Sequence, residues 1–278
     1  MNAREFPEFR AADGTRLHAQ VWSPSVRPRA TVLIVHGLGE HVGRYEHVAR
    51  WLTERGYAVV GYDHRGHGAS EGARGGLQRP LDLVADLASV VDAVRSRGAA
   101  PLALLGHSMG GLVAARFVAD AVRPVEALVL SSPALDPGLS AFNRALLAVS
   151  HALAPGVAVP NGLDVNGISR DPAVVEAYRS DPLVHDRVTP RLVRFIVDAG
   201  RFVLERASGW NVPTLLMWAG QDRLVAPAGS ARFARAAPAH AVHSHCFEHM
   251  YHEILNEPDR EQVFRVLEPW LSARFPVA

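Results

Sequence analysis

The chain has 278 residues, 48% of them hydrophobic, and a formal net charge of +1 at pH 7. That length buries one large domain, or one domain with an insertion. With no stripe of Lys or Arg, the sequence excludes a nucleic-acid partner, since phosphate binding needs concentrated basic charge. The single cysteine, Cys246, excludes an intrachain disulfide and fits a reducing compartment.

The first residues, MNAREFPEFR, carry charge where a signal peptide would place its apolar core. No apolar stretch reaches the ~18 residues of a membrane span. A cytoplasmic globular protein is the expectation.

In chain order, EFRAADGTRLHAQVW reads as a hairpin about Asp13-Gly14. ATVLIVHG (30–37), YAVVGYD (57–63), PLALLGHS (101–108), VEALVLSS (125–132) and VPTLLMWAG (212–220) are near-continuous apolar runs. Strands covered on both faces read this way. Residues 237–248 supply the last strand. Between them lie helical stretches, RYEHVARWLTERG, LQRPLDLVADLASVVDAVRSRG and MGGLVAARFVADAV. The first puts Tyr45, Val48, Ala49 and Leu52 on one face and ends at Gly56, a good residue just past a helix end. NEPDREQVFRVLEPWLSARF closes the chain, with Asn256 expected as N-cap and a proline in the first turn. Such alternation predicts a mostly parallel sheet with helices on both faces.

The rhythm breaks over 135–209, where Pro and Gly punctuate three helical stretches without a strong strand. One, AFNRALLAVSHAL, is apolar at Phe142, Leu146, Leu147 and Leu153. It reads either as an excursion packed on the core or as a lid whose apolar face lines a substrate entrance. The domain division is therefore 1–134 with 210–278 as core and 135–209 as a helical cap.

GHSMG at 106–110 fits G-x-S-x-G between a strong strand and a helix. The sharp turn needs glycine on both sides and leaves the Ser108 hydroxyl exposed above the sheet, which suits a nucleophile. A serine needs a base, and the base needs a carboxylate to fix its tautomer. In this order of elements, Asp222 follows a buried strand in GQDRLV, and His249 and His252 occupy the later loop where the base belongs. The oxyanion of an attacked carbonyl needs backbone donors. Met109, after the nucleophile, supplies one, and the loop HGLGEH supplies the other, best at Leu38. A metal reading of His243, His245, Cys246, His249 and His252 lacks the helical H-E-x-x-H pattern and a completing carboxylate. In YDHRGHGAS, Asp63, His64, Arg65 and His67 read as a supporting loop.

HGLGEHVGRY, YDHRGHGAS, GHSMGG, SRDPAVVEAYRSDPLVH, GQDRLV and YHEILNEP together resemble the monoacylglycerol lipase and lysophospholipase-like branch of the α/β-hydrolases, over most of the chain. The resemblance implies an α/β-hydrolase fold with a mostly parallel eight-stranded sheet and a helical cap. It implies a Ser108–Asp222–His252 triad, because the family's base lies in Y-H-E, with oxyanion donors at Leu38 and Met109. His249 stands where relatives commonly carry glycine. The implied substrate is a single-acyl-chain lipid ester, with no cofactor and no metal, and the cap is placed to touch a membrane surface transiently. Lysophospholipase or broad carboxylesterase activity, acyl transfer, and a non-enzymatic receptor are the rivals.

Overall fold

In the computed structural model, which describes residues 8–98 and 100–277, the core of the molecule is a central sheet covered on both faces. The hairpin arms are β1 (Phe9–Arg10) and β2 (Arg16–Leu17), joined through Gly14 at φ +88°. Then come β3 (Ala19–Trp22), β4 (Thr31–Val35), α1 (Glu46–Glu54), β5 (Ala58–Tyr62), α2 (Asp82–Arg95), β6 (Leu102–His107), α3 (Ser108–Ala119) and β7 (Ala127–Ser131). After a long excursion the chain returns as β10 (Thr214–Ala219), α7 (Pro227–Ala236), β11 (Val242–Phe247) and α8 (Glu261–Arg274). Residues 1–7, most of the charged opening stretch read above, lie outside the described residues.

The sheet order is β11-β10-β7-β6-β4-β5-β3, with β3 antiparallel and every other pairing parallel. Among the described residues it has seven strands, not the expected eight. The hairpin β1–β2 stands apart from it as a separate two-stranded pair, and between β2 and β3 His18 donates its amide to Ser70 Oγ (2.8 Å).

Side-chain alternation sorts the core into two layers. Leu33 and Val35 of β4, with Leu102 and Leu104 of β6, pack against Leu87 of α2 and Leu112 of α3. Val32, Ile34, Ala103 and Leu105 face the other way, onto Leu52 of α1 and Leu267 of α8. Each fully buried Leu or Ile contributes about 1.5–3 kcal/mol relative to exposure. The α1 face is as expected, with Val48, Ala49 and Leu52 buried, but Tyr45, also buried, closes the 3-10 turn just before the helix; Gly56 stands at φ +82° past the helix end.

The start of α8 differs from expectation. Asn256 closes a separate 3-10 turn, Ile254–Asn256, by donating its amide to Glu253 O (2.7 Å). Glu257, preceding a proline, is held extended at ψ 155°, so the helix begins only at Glu261.

The excursion holds α4 (Ala141–Leu153), β8 (Val159–Pro160), α5 (Pro172–Ser180), β9 (Arg187–Val188) and α6 (Pro190–Arg206). Its punctuation is capping chemistry: Asp171 accepts from Ala173 N–H (2.9 Å) and Thr189 Oγ1 from Leu192 N–H (3.3 Å), each followed by a proline in the first turn. β8 and β9 form a short antiparallel pair the sequence did not announce. Helix α6 buries Leu192, Phe195, Ala199 and Val203 and packs on α3. In contrast α4 buries no residue, and Phe142 (75% exposed) and Leu153 (81%) face solvent.

Candidate active site

β5 lies on one side of β4 and β6 on the other, so the loops after β4 and β6 diverge and leave a crevice at the carboxyl ends of the strands. Ser108 sits there. The chain passes from β6 to α3 within one residue, which puts Ser108 at φ +51°, a strained left-handed backbone for a residue with a Cβ. The flanking glycines make the turn feasible. A Cβ on Gly106 would stand 2.7 Å from Gly110 O, and one on Gly110 would stand 2.1 Å from Val35 O.

His252 is delivered from the loop after β11, and Asp222 from the loop after β10. Ser108 Oγ–H donates to His252 Nε2 (2.8 Å), and His252 Nδ1–H donates to Asp222 Oδ2 (2.6 Å). An ionised carboxylate only accepts, so the proton sits on Nδ1 and leaves Nε2 free to take another. Asp222 Oδ1 accepts from the amides of Leu224 (2.9 Å) and Val225 (3.0 Å), which fixes its plane. Burial alone would raise the Asp222 carboxyl, but the His252 charge and these hydrogen bonds hold it below the usual range. Burial likewise opposes charge on His252, yet Asp222 outweighs it and lifts the imidazole above its ordinary value. The neighbouring His107 ring, centred 4.8 Å away, is pushed down to about 4 by burial and by His252, and so stays neutral.

Leu38 and Met109 both line the crevice. Met109 lies in the first turn of α3, where amides lack intrahelical partners. Among the described residues no acceptor engages the Leu38 amide, while Gly37 N–H is bound by Glu40 Oε1 at 2.6 Å. The loop is braced from below: His36 Nε2 accepts from His64 N–H (2.9 Å), and Asp63 accepts from the amides of Val42 (2.8 Å) and Ala69 (2.9 Å). Asp63 and His64 are thus buried supports of the loop, His67 is buried with its ring centred 5.6 Å from that of His36, and Arg65 pairs with Asp86 at 2.6 Å.

A cavity of about 330 Å³ opens onto Ser108 and His252. Apolar wall comes from Leu163, Val165, Ile168, Val184 and Ile196 of the excursion and from Leu224 and Val225. Polar wall comes from Glu40, Tyr178, Asp181 and Glu253. The apolar face of α4 is not part of it; the lining role expected for that helix falls to 161–168 and 178–186.

The other histidines stay apart. His243 and His245 are exposed on β11, and His249 is exposed in the following loop, outside the cavity lining. Among the described residues no three His, Cys, Asp or Glu side chains form a metal-holding group. Three charged residues of the site had no role assigned from sequence: Glu40, Arg44 and Glu253. Their spacing in HGLGEHVGRY, with an acid three residues after Gly37 and a base four further on, was the available signal.

Fold and site together define an α/β-hydrolase with a serine, a histidine and a carboxylate in one hydrogen-bonded chain. The chain belongs to the family described as serine aminopeptidase, S33, whose model matches residues 26–259. It is 36% identical to a monoacylglycerol lipase of Mycolicibacterium smegmatis, covering 97% of this chain and 98% of that protein. Phospholipase YtpA of Bacillus subtilis is 34% identical, over 86% of this chain and 93% of the relative. The crystal structure of the Paleococcus ferrophilus monoacylglycerol lipase superposes with a TM-score of 0.83 at 32% identity, covering 93% of this chain and 99% of that one.

Proposed function

We propose that the protein is a carboxylic ester hydrolase that cleaves monoacylglycerols to fatty acid and glycerol. The observation that carries this reading is the Ser108–His252–Asp222 hydrogen-bonded chain opening into a largely apolar cavity of about 330 Å³. The full-length relatives named monoacylglycerol lipase support the substrate.

In this reading Ser108 Oγ attacks the ester carbonyl carbon while His252 Nε2 takes its proton, and Asp222 stabilises the imidazolium. The amides of Leu38 and Met109 receive the developing oxyanion, each worth about 10²–10³-fold in rate. The intermediate collapses to an acyl-enzyme as His252 returns the proton to the departing glycerol oxygen. A water, deprotonated by His252, then attacks the acyl carbon and releases the fatty acid with Ser108 restored. No step calls on a metal or cofactor.

The excursion 135–209 acts as a cap that walls the acyl site, with the core in 1–134 and 210–278. Because Phe142, Leu146, Val149 and Leu153 form an exposed apolar helix face, α4 suits contact with a membrane surface that holds the substrate. Among the described residues no helix is long and apolar enough to cross a membrane. A lysophospholipase is the second reading, favoured by the phospholipase relative.

The test is fatty acid release from monooleoylglycerol, lysophosphatidylcholine and trioleoylglycerol, side by side. Fastest release from the monoacylglycerol is expected. Preference for the lysophospholipid retains the triad and replaces the substrate, and no release from any ester overturns the reading.

A further inference from the structure

Two loops far apart in sequence meet beside Ser108. One follows β4 and runs from Gly37 to Glu40, and the other follows β11 and carries His252 and Glu253. Arg44 lies between them, in the 3-10 turn Val42–Tyr45. Its Nη1 donates to Glu40 Oε2 and to Glu253 Oε1, and its Nη2 donates to Glu253 Oε2, all at 2.7 Å. The other oxygen of Glu40 accepts the amide of Gly37 (2.6 Å) and the hydroxyl of Tyr45 (2.7 Å). On the far side, Asn256 Nδ2 donates to Glu253 Oε2 (2.9 Å), and Glu253 N–H donates to Ile168 O (2.8 Å). The Tyr178 ring covers the guanidinium at 4.7 Å.

Glu40 and Glu253 are buried and Arg44 nearly so, at 4%, 6% and 10% side-chain exposure. Two carboxylates share one guanidinium, and all three have left water. Apolar residues of the same volume would pack without that penalty, so stability is a weak reason for the arrangement. Geometry offers a better one. With Gly37 N–H held by Glu40, the next amide in the loop, that of Leu38, is left free at the cavity. The same guanidinium fixes the residue adjoining His252.

We propose that Arg44 is a positioning residue of this active centre: through Glu40 and Glu253 it locks the Leu38 loop against the His252 loop and balances the two carboxylates beside the base. This rests on the reading of Ser108 and His252 as nucleophile and base. The charged or titratable groups around His252 are Asp222 from the loop after β10, Glu253 from its own loop, Glu40, Arg44 and Tyr45 from the loop and turn after β4, His107 from β6 and Tyr178 from α5. Burial opposes the imidazolium, whereas Asp222, Glu253 and Glu40 each favour it. His107 is neutral, and burial raises both tyrosines above their ordinary range, so Arg44 is the positive counterweight.

Opposite charges removed from one bridge move the base in opposite directions. Arg44→Gln raises the acidic limb of the kcat/KM pH profile and Glu253→Gln lowers it, each by on the order of half a pH unit. Arg44→Gln also lowers kcat about 100-fold with KM little changed, because the lost element acts at the oxyanion and the base. Arg44→Lys restores the limb but not the full rate, since an ammonium lacks the fork that reaches both carboxylates. The experiment measures pH profiles of all three variants on a soluble short-chain ester, with circular dichroism to confirm folding. Limbs that move the same way, or folded variants with wild-type kcat and limb, overturn the proposal. Should Arg44→Gln fail to fold, the sign of the shift in the near-isosteric Glu253→Gln decides. Activity that survives in Ser108→Ala would instead overturn the underlying triad reading.

Discussion

Ser108 Oγ lies 2.8 Å from His252 Nε2, although 144 positions separate the two residues. The contact exists because the β6–α3 turn lifts the hydroxyl and the loop after β11 brings the imidazole over it. Asp222 makes the arrangement directional by keeping the proton on Nδ1. Replacing it removes the tautomer control and leaves the shape. Asp222→Asn is expected to lower kcat by about 10⁴-fold with KM nearly unchanged, read from steady-state kinetics on a soluble ester.

The same pair sets the pH response. In the proposed mechanism His252 acts as a base only when neutral, and Asp222 lifts its pKa above the ordinary imidazole value of 6.5. Activity therefore falls as pH drops through a point above 6.5. In Asp222→Asn the lifting charge is gone, so burial prevails and the limb of the residual activity moves to lower pH. A kcat/KM profile between about pH 5 and 9 reads both limbs.

Gly110 tests the turn itself. A Cβ there would press on two backbone carbonyls, 2.1 Å from Val35 O and 2.2 Å from His36 O, and neither is a flexible end. Gly110→Ala is expected to destabilise the fold by about 3 kcal/mol through forced backbone shifts. Denaturant unfolding compared with wild type measures it.

The outward face of α4 makes the reverse prediction for stability. Leu153, 81% exposed, supports no core contact. Leu153→Ser is expected to change unfolding free energy by less than about 0.5 kcal/mol. It should still weaken co-flotation with phospholipid vesicles, as should Phe142→Ser. Wild-type flotation by both variants would remove the membrane role proposed for this helix.

Much of the fold was legible because strands buried on both faces read as unbroken apolar runs, as TVLIV and LALLGH do here. Ser108 was marked by its glycines, and Asp222 by its place after such a run. The choice between His249 and His252 needed the family resemblance, since both lie in one loop. Other features were hidden for physical reasons. The first hairpin was counted into the sheet because its pattern shows two arms that pair but not that they pair only with each other. An amphipathic stretch such as α4 shows that it has an apolar face but not what meets it. The Glu40–Arg44–Glu253 bridge joins positions 209 apart, and no local pattern encodes that closure.

The most direct measurement is the mass of the protein after exposure to a fluorophosphonate, with peptide mapping, for wild type and Ser108→Ala, alongside ester hydrolysis by both. One adduct on Ser108 is expected in the wild type and none in the variant, with a loss of turnover of about 10⁴-fold or more. An adduct elsewhere, or hydrolysis by Ser108→Ala at the wild-type rate, would contradict it.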